Sequence, residues 1–220
     1  MKYKNIFKKE MKSNIIVFGR VNNMILTVAM LKERYKNYSN PLDKIKRDCD
    51  RGVLFRLNRG VYEDNRNVDP VFLAGSLLSP SYISFDYALS NYGLIPERVE
   101  AITSASLKVT KSKTFNNIFG RFEFADIPIQ AFSEGTTLIS NDEYTVRIAT
   151  KEKAICDSLS KWRIVHSIKE LKILLFEDKR IEKSELLTCD YDELIRLAKL
   201  YKKTNLDLFI KFIKKEYFYE

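Results

Sequence analysis

SNPLDKIKRDCDRGVLFRLNRGVYED, residues 39–64, is the stretch whose reading decides the fold. Asn40 is a residue type that caps helices, and Pro41 suits the first helical position, where no N–H is needed. Leu42, Ile45 and Cys49 recur at helical spacing and predict one buried stripe. Lys44, Lys46, Arg47 and Arg51 turn away from that stripe. Gly52 falls where a helix ends in the left-handed conformation. Beyond it, VLFRL and GVY read as two short strands. Asn58-Arg59-Gly60 joins them as a turn, with Gly where positive φ is required. A short basic helix followed by a basic hairpin is the outline of a winged helix-turn-helix, in which the helix enters the DNA major groove and the hairpin follows the backbone.

Working outward, the preceding residues supply the partner helix. Met24-Ile25-Leu26 suggests a short strand, and VAMLKERYK a helix capped by Thr27 or, starting earlier, by Asn23. Residues 1–21 are basic and partly helical in pattern, and a first helix is placed there. The 220-residue chain has a formal net charge of +9, and the excess is unevenly placed. Residues 1–66 hold 16 Lys+Arg against 7 Asp+Glu, whereas residues 67–220 hold 22 of each. Such an asymmetry favours a polyanionic partner, because neutralised phosphates release condensed counterions. A Lys-rich surface also serves solubility alone, and each cation taken singly reads equally well as a solvated charge.

From Asp69 the pattern changes. Asp69-Pro70 opens a short apolar helix carrying Val71, Phe72, Ala74 and Leu78, and Ser79-Pro80 breaks it. Ser84 is placed as the cap of a second helix, closed by Gly93. VEAITSASLKV, FGRFEF and YTVRIA alternate as strands, and Thr150 caps a helix with Ala154, Ile155 and Leu159. Beyond Trp162 the chain is helical by pattern, with Asp190 and Glu193 spaced as a capping arrangement. The expected fold class is α+β. Its parts are an N-terminal winged helix-turn-helix over residues 1–66 and a mixed α/β domain over residues 67–220, sheet-containing to 160 and helical from 161. The polar run EDNRNVD, residues 63–69, is the expected joint.

RGVLFRLNRGVYE with the downstream VDPVFLAGSLLSPSYISFDYALSNYGLIPE resembles the AbiEi family of transcriptional regulators, antitoxins of type IV toxin–antitoxin systems. The matching pieces are the basic Gly52–Tyr62 segment, Asp69-Pro70, Tyr82-Ile83-Ser84, Ala88-Leu89 and Tyr92-Gly93-Leu94. Further pieces are Thr114-Phe115 with Phe119-Gly120, Val146-Arg147-Ile148-Ala149-Thr150, Glu152-Lys153-Ala154 and Asp157. They are specific as an ordered set and cover about residues 24–160. The resemblance implies autorepression of an operon through inverted repeats in double-stranded operator DNA. It also implies that the second domain counters a nucleotidyltransferase toxin without forming a stable complex with it.

No catalytic set emerges. There is no P-loop and no dinucleotide fingerprint. Gly75-Ser76 lacks the Asp-x-Asp that a nucleotidyltransferase needs to clamp its metal. Cys49, Cys156 and Cys189 are far apart and His166 is the single histidine, so no zinc set and no cofactor are expected. An odd cysteine count suits a reducing cytoplasm, and the longest apolar runs are too short to span a membrane. The DNA contacts expected are Lys44, Lys46 and Arg47 at base edges, with Asn40, Arg51, Arg56, Asn58 and Arg59 setting register. A second basic patch, Lys108, Lys111, Lys113 and Arg121, is read either as a hairpin end that touches backbone or as a solvated strand end. The alternatives are a nuclease-like enzyme acting through residues 69–220 and a protein-interaction adaptor.

Overall fold

The computed structural model describes residues 25–217; the first helix expected in residues 1–21 lies outside them. The protein mixes helix and strand and ends in a helical part. Near its start, β1 (Leu26–Thr27) runs into α1 (Val28–Arg34), whose cap Thr27 accepts the Met30 amide. The helix α2 (Pro41–Asp50) follows, then β2 (Phe55–Asn58) and β3 (Val61–Glu63). These strands form an antiparallel sheet in the order β1-β3-β2. Gly60 takes φ +81° at the β2–β3 turn and Gly52 takes φ +69° after α2. Leu26, Leu31, Ile45 and Leu54 fill a small core between helices and sheet.

The second sheet has the order β6-β7-β5-β4-β9-β8. Its strands are β4 (Ser81–Ile83), β5 (Ile102–Ser106), β6 (Ser112–Asn117), β7 (Gly120–Asp126), β8 (Thr136–Ser140) and β9 (Thr145–Ala149). The β4–β9 and β5–β7 pairs are parallel and the others antiparallel. Around the sheet lie a tight turn at Pro70–Leu73 running into α3 (Ala74–Leu77), then α4 (Phe85–Asn91) and α5 (Ile129–Phe132). The helix α6 (Lys151–Leu159) comes next. The helical end comprises α7 (Ile168–Ile173), a wide turn at Leu174–Asp178, α8 (Lys183–Leu186), α9 (Tyr191–Ala198) and α10 (Thr204–Tyr217). Asp190 caps α9 through the Glu193 amide, as its spacing predicts, but the Glu193 side chain turns to Arg196 instead of closing a capping box.

Two expectations at the start of this region need correction. Residues 70–78 bury Leu73 and Leu77 instead of Phe72 and Leu78, because the tight Pro70–Leu73 turn shifts the helical phase. Ser84 stands at the cap position of α4 without capping it; its hydroxyl is taken by Asp157.

That hydroxyl belongs to a buried polar cluster at the centre of the fold. From Lys153 to Ser160 every residue of α6 and its cap is buried, so its polar groups must be satisfied inside. Lys153 Nζ donates to the Ala131 carbonyl at 2.6 Å and to the Tyr201 hydroxyl, and stands 3.2 Å from Asp157. Asp157 accepts from Ser84 at 2.6 Å, Tyr82 at 2.9 Å and Tyr201 at 2.5 Å. Burial pulls the Lys153 ammonium below its ordinary pKa, against the pull of Asp157.

Substitution at two glycines separates backbone strain from packing. Gly135, at φ +62°, would bring a new Cβ to 2.9 Å from Leu197 and 3.0 Å from Lys153, whereas Gly52 has open space around it. Gly52→Ala should cost about 1–2 kcal/mol, the strain of left-handed backbone alone. Gly135→Ala should cost about 1–3 kcal/mol more, from overpacking. Urea denaturation monitored by circular dichroism reads both, and equal losses would contradict the packing around Gly135.

Candidate nucleic-acid interface

The basic face is built on α2. Asn40 Oδ1 accepts the Leu42 and Asp43 amides, and its Nδ2 donates to the Asp43 carboxylate at 2.7 Å. Asn40 is thereby committed to capping. The inner face of α2 differs from the predicted stripe. Ile45 is buried and Cys49 half-buried, but Leu42 is 51% exposed. Asp48, only 3% exposed, takes an inner position instead.

The physical reason is a polar cluster between the two helices. Lys44 turns inward and reaches Asp48 at 2.5 Å, one helical turn on, and lies over the rings of Tyr35 and Tyr38. This corrects the expectation that Lys44 faces outward with the other cations. Burial and the neighbouring Asp48 push the Tyr35 hydroxyl up to about 12. Burial alone would raise Asp48, but hydrogen bonds from Lys44 and Tyr35 and the charges of Lys44 and Arg51 outweigh it and hold the carboxyl below its ordinary range. The Asp48 carbonyl also accepts the Val53 and Leu54 amides, which fastens the end of α2 to the start of the hairpin.

Lys46, Arg47 and Arg51 remain exposed on α2, and Arg56 and Arg59 on the β2–β3 hairpin. Among the described residues none of these five makes an ion pair with a carboxylate. Arg47 Nε reaches only the Asp43 carbonyl, at 3.4 Å, and Arg56 Nε the Asn58 carbonyl, at 3.4 Å. Asn58 is half-buried and its side chain accepts the Arg59 amide at 2.7 Å, shaping the turn. Arg34 is neutralised by Asp64 at 3.2 Å.

The hairpin does not stand clear of the second sheet. Leu57 belongs to the main core, Asn117 donates to its carbonyl at 3.2 Å, and Phe55 meets Phe119 edge-on at 6.0 Å. The expected joint at 63–69 is correspondingly tied down. Glu63 is fully buried and accepts the Asp64 and Asn65 amides, and Val68 joins the core. Burial raises the Glu63 carboxyl above its ordinary range, with Tyr144 of the β8–β9 turn close by. A polar composition therefore marks a fixed corner here instead of a loose linker.

The second basic patch spans the β5–β6 connection, which holds Lys108 and Lys111, and strands β6 and β7, which hold Lys113 and Arg121. Lys108, Lys111 and Lys113 are exposed, Lys113 standing over the Phe115 ring, while Arg121 is paired with Glu123 at 2.5 Å. The Asn117–Gly120 end of this hairpin is the part that meets β2. Among the described residues no group of three or more His, Cys, Asp or Glu side chains is arranged to hold a metal, and no helix is long and apolar enough to cross a membrane. No protein-family model matches the chain and no curated protein matches it.

The inward pair missed by hydrophobic periodicity had one signal in the sequence: Lys44 and Asp48 are spaced to meet on a helix. Its contribution depends on pH with a defined sign. A carboxyl whose folded pKa is depressed adds stability above its unfolded pKa and loses it as pH falls through the folded value. Asp48→Asn should therefore be less stable than the natural protein at neutral pH, and the difference should shrink on acidification through that range. Thermal melts from neutral to acidic pH measure it; a difference that does not change with pH would show that the Asp48 charge contributes nothing.

Proposed function

We propose that the chain is a sequence-specific DNA-binding repressor whose residues 1–66 form a winged helix-turn-helix. The observation that carries this reading is the exposure of Lys46, Arg47, Arg51, Arg56 and Arg59 on one helix and the adjoining hairpin, without carboxylate partners among the described residues. An exposed helix flanked by a hairpin suits insertion into a major groove about 12 Å wide. Strand order β1-β3-β2 supports the reading, since it sets the hairpin beside the strand that leads into the helix pair.

Roles divide by what each side chain is free to do. Lys46 and Arg47 read base edges; Arg is suited to guanine because its fork bonds O6 and N7 together. Arg51, Arg56 and Arg59 bind phosphates and set register. Lys44 and Asn40 hold α2 in place, Asn58 shapes the turn, and Lys108, Lys111 and Lys113 add long-range attraction. Arg121, neutralised by Glu123, adds little.

The regulatory context rests on the resemblance carried by residues 24–160. In this proposal the protein represses its own operon at inverted repeats and counters a nucleotidyltransferase toxin through residues 67–220. It acts in the cytoplasm and is not itself an enzyme. Antitoxin action and DNA reading then use different surfaces.

Arg47→Ala should cost about 1–3 kcal/mol of operator affinity and relax sequence preference. Arg59→Ala should weaken all duplexes alike and flatten the salt dependence by about one unit of slope. Fluorescence anisotropy across a salt series distinguishes the two, and unchanged binding by Arg47→Ala would remove α2 as the reading element. Supplied from an independent promoter, both variants should still neutralise the toxin; loss of neutralisation would mean that the same surface serves both tasks.

A further inference from the structure

The two edges of the six-stranded sheet are treated differently. At one end β6 carries Lys113, follows Lys111, and packs against β2 of the first sheet. At the other end β8 reads Thr136-Thr137-Leu138-Ile139-Ser140, without charge or proline, and Leu138 is 63% exposed. Natural sheets guard open edges with lysines, prolines, bulges or covering segments, because unpaired N–H and C=O groups template further pairing. Among the described residues β8 shows none of these.

The hydrogen-bond phase of β8 shows what fits the edge. Thr150 N donates to Gly135 O at 2.8 Å and Asn141 N to Tyr144 O at 3.0 Å. The pairing runs from Thr136↔Ala149 to Ser140↔Thr145. Antiparallel strands alternate hydrogen-bonded and non-bonded pairs. Residues 135, 137, 139 and 141 therefore bond to β9, and Thr136, Leu138 and Ser140 point their N–H and C=O groups outward. These three positions are self-complementary. About a two-fold axis at Leu138, Leu138 meets its own copy and Thr136 meets Ser140, each pair exchanging two hydrogen bonds.

We propose that β8 pairs antiparallel with β8 of a second copy of this chain, joining two sheets into one across a two-fold axis. Neutral residues meet neutral residues along the whole strand, so a like partner brings no repulsion there. At the ends of this register Glu134 arrives opposite Asp142 of the second copy. Arg196, which holds Glu134 at 3.0 Å and Glu193 at 2.6 Å, offsets part of that negative charge. Leu138 loses its exposure against its own copy.

Sedimentation across a micromolar concentration series, without nucleic acid, tests the pairing independently of the DNA reading. The natural chain, 25.8 kDa, should sediment at twice that mass. Leu138→Lys sets two ammonium groups face to face on the axis and should give the single-chain mass. Leu138→Pro should do the same, because it removes an outward N–H that makes no bond to β9. Asn116→Lys on the opposite edge should leave the doubled mass unchanged. A natural chain that stays single at every concentration, or either Leu138 variant remaining double, would overturn the proposal. Should a variant fail to fold, hydrogen exchange on the natural chain decides. The Thr136, Leu138 and Ser140 amides should become protected as concentration rises, and fast exchange at all concentrations would overturn it.

Discussion

A lysine and an aspartate one helical turn apart on α6, both without solvent exposure, set the terms for the rest of this fold. Taking two charges out of water costs several kcal/mol per ion, which close contact alone seldom offsets. The surroundings must therefore supply hydrogen bonds, and they come from far along the chain: Tyr82 and Ser84 beside β4, Ala131 in α5, and Tyr201 after α9. Any packing that displaced one of these segments would leave a buried charge short of a partner. A pair in this setting is weak evidence of stabilisation and depends on every one of these partners being in place. Gly135 belongs to the same constraint, since its missing side chain leaves room for Lys153 and Leu197.

The same sheet fixes the basic hairpin. Asn117 and Phe119, at the β6–β7 end, grip Leu57 and Phe55 of β2, and β7 lies in register with the buried β5. A continuous path of packed groups therefore runs from the Lys153–Asp157 pair through the sheet to the hairpin that carries Arg56 and Arg59. The β2–β3 hairpin is thus packed onto the second sheet through Phe55 and Leu57. Orientation of the arginines is consequently a property of the whole fold.

What could be read from sequence follows from the range of the interactions. The caps Asn40, Thr27, Asp69, Thr150 and Asp190 and the left-handed turns at Gly52 and Gly60 depend on neighbours within a few residues, and they stand where the residue types imply. Leu42 and Asp48 exchanged places because hydrophobicity cannot register an inward lysine that satisfies a buried carboxylate. Strands β4, β6 and β8 carry no strand pattern that the sequence alone makes readable. The first is short, and the other two are the edge strands, whose polar residues lack alternation. Docking of the hairpin through Asn117 spans 60 residues and leaves no local mark. Tyr82, Lys153 and Asp157 stand out in sequence only within a resemblance and Ser84 otherwise only as an expected cap; their meeting in space comes from segments far apart in the chain.

Ion pairs cover part of the charge in both portions of the described chain, Arg34–Asp64 and Lys44–Asp48 in the first among them. In the second half Arg163 faces Asp178, Arg180 faces Glu97, Arg196 faces Glu134 and Glu193, Lys161 faces Asp126 and Lys172 faces Glu216. Exposed pairs of this kind contribute about 0–1 kcal/mol each and chiefly cancel the outward field. Among the described residues Lys46, Arg47 and Arg51 at α2 and Arg56 and Arg59 on the β2–β3 hairpin stand without such partners, so their field extends into solvent over about a Debye length, roughly 8 Å at physiological salt. A surface whose cations are neutralised locally has little to offer a phosphate, because its counterions are already in place. Guanidiniums held on a helix and a fastened hairpin without carboxylate partners among the described residues keep their charge open to solvent.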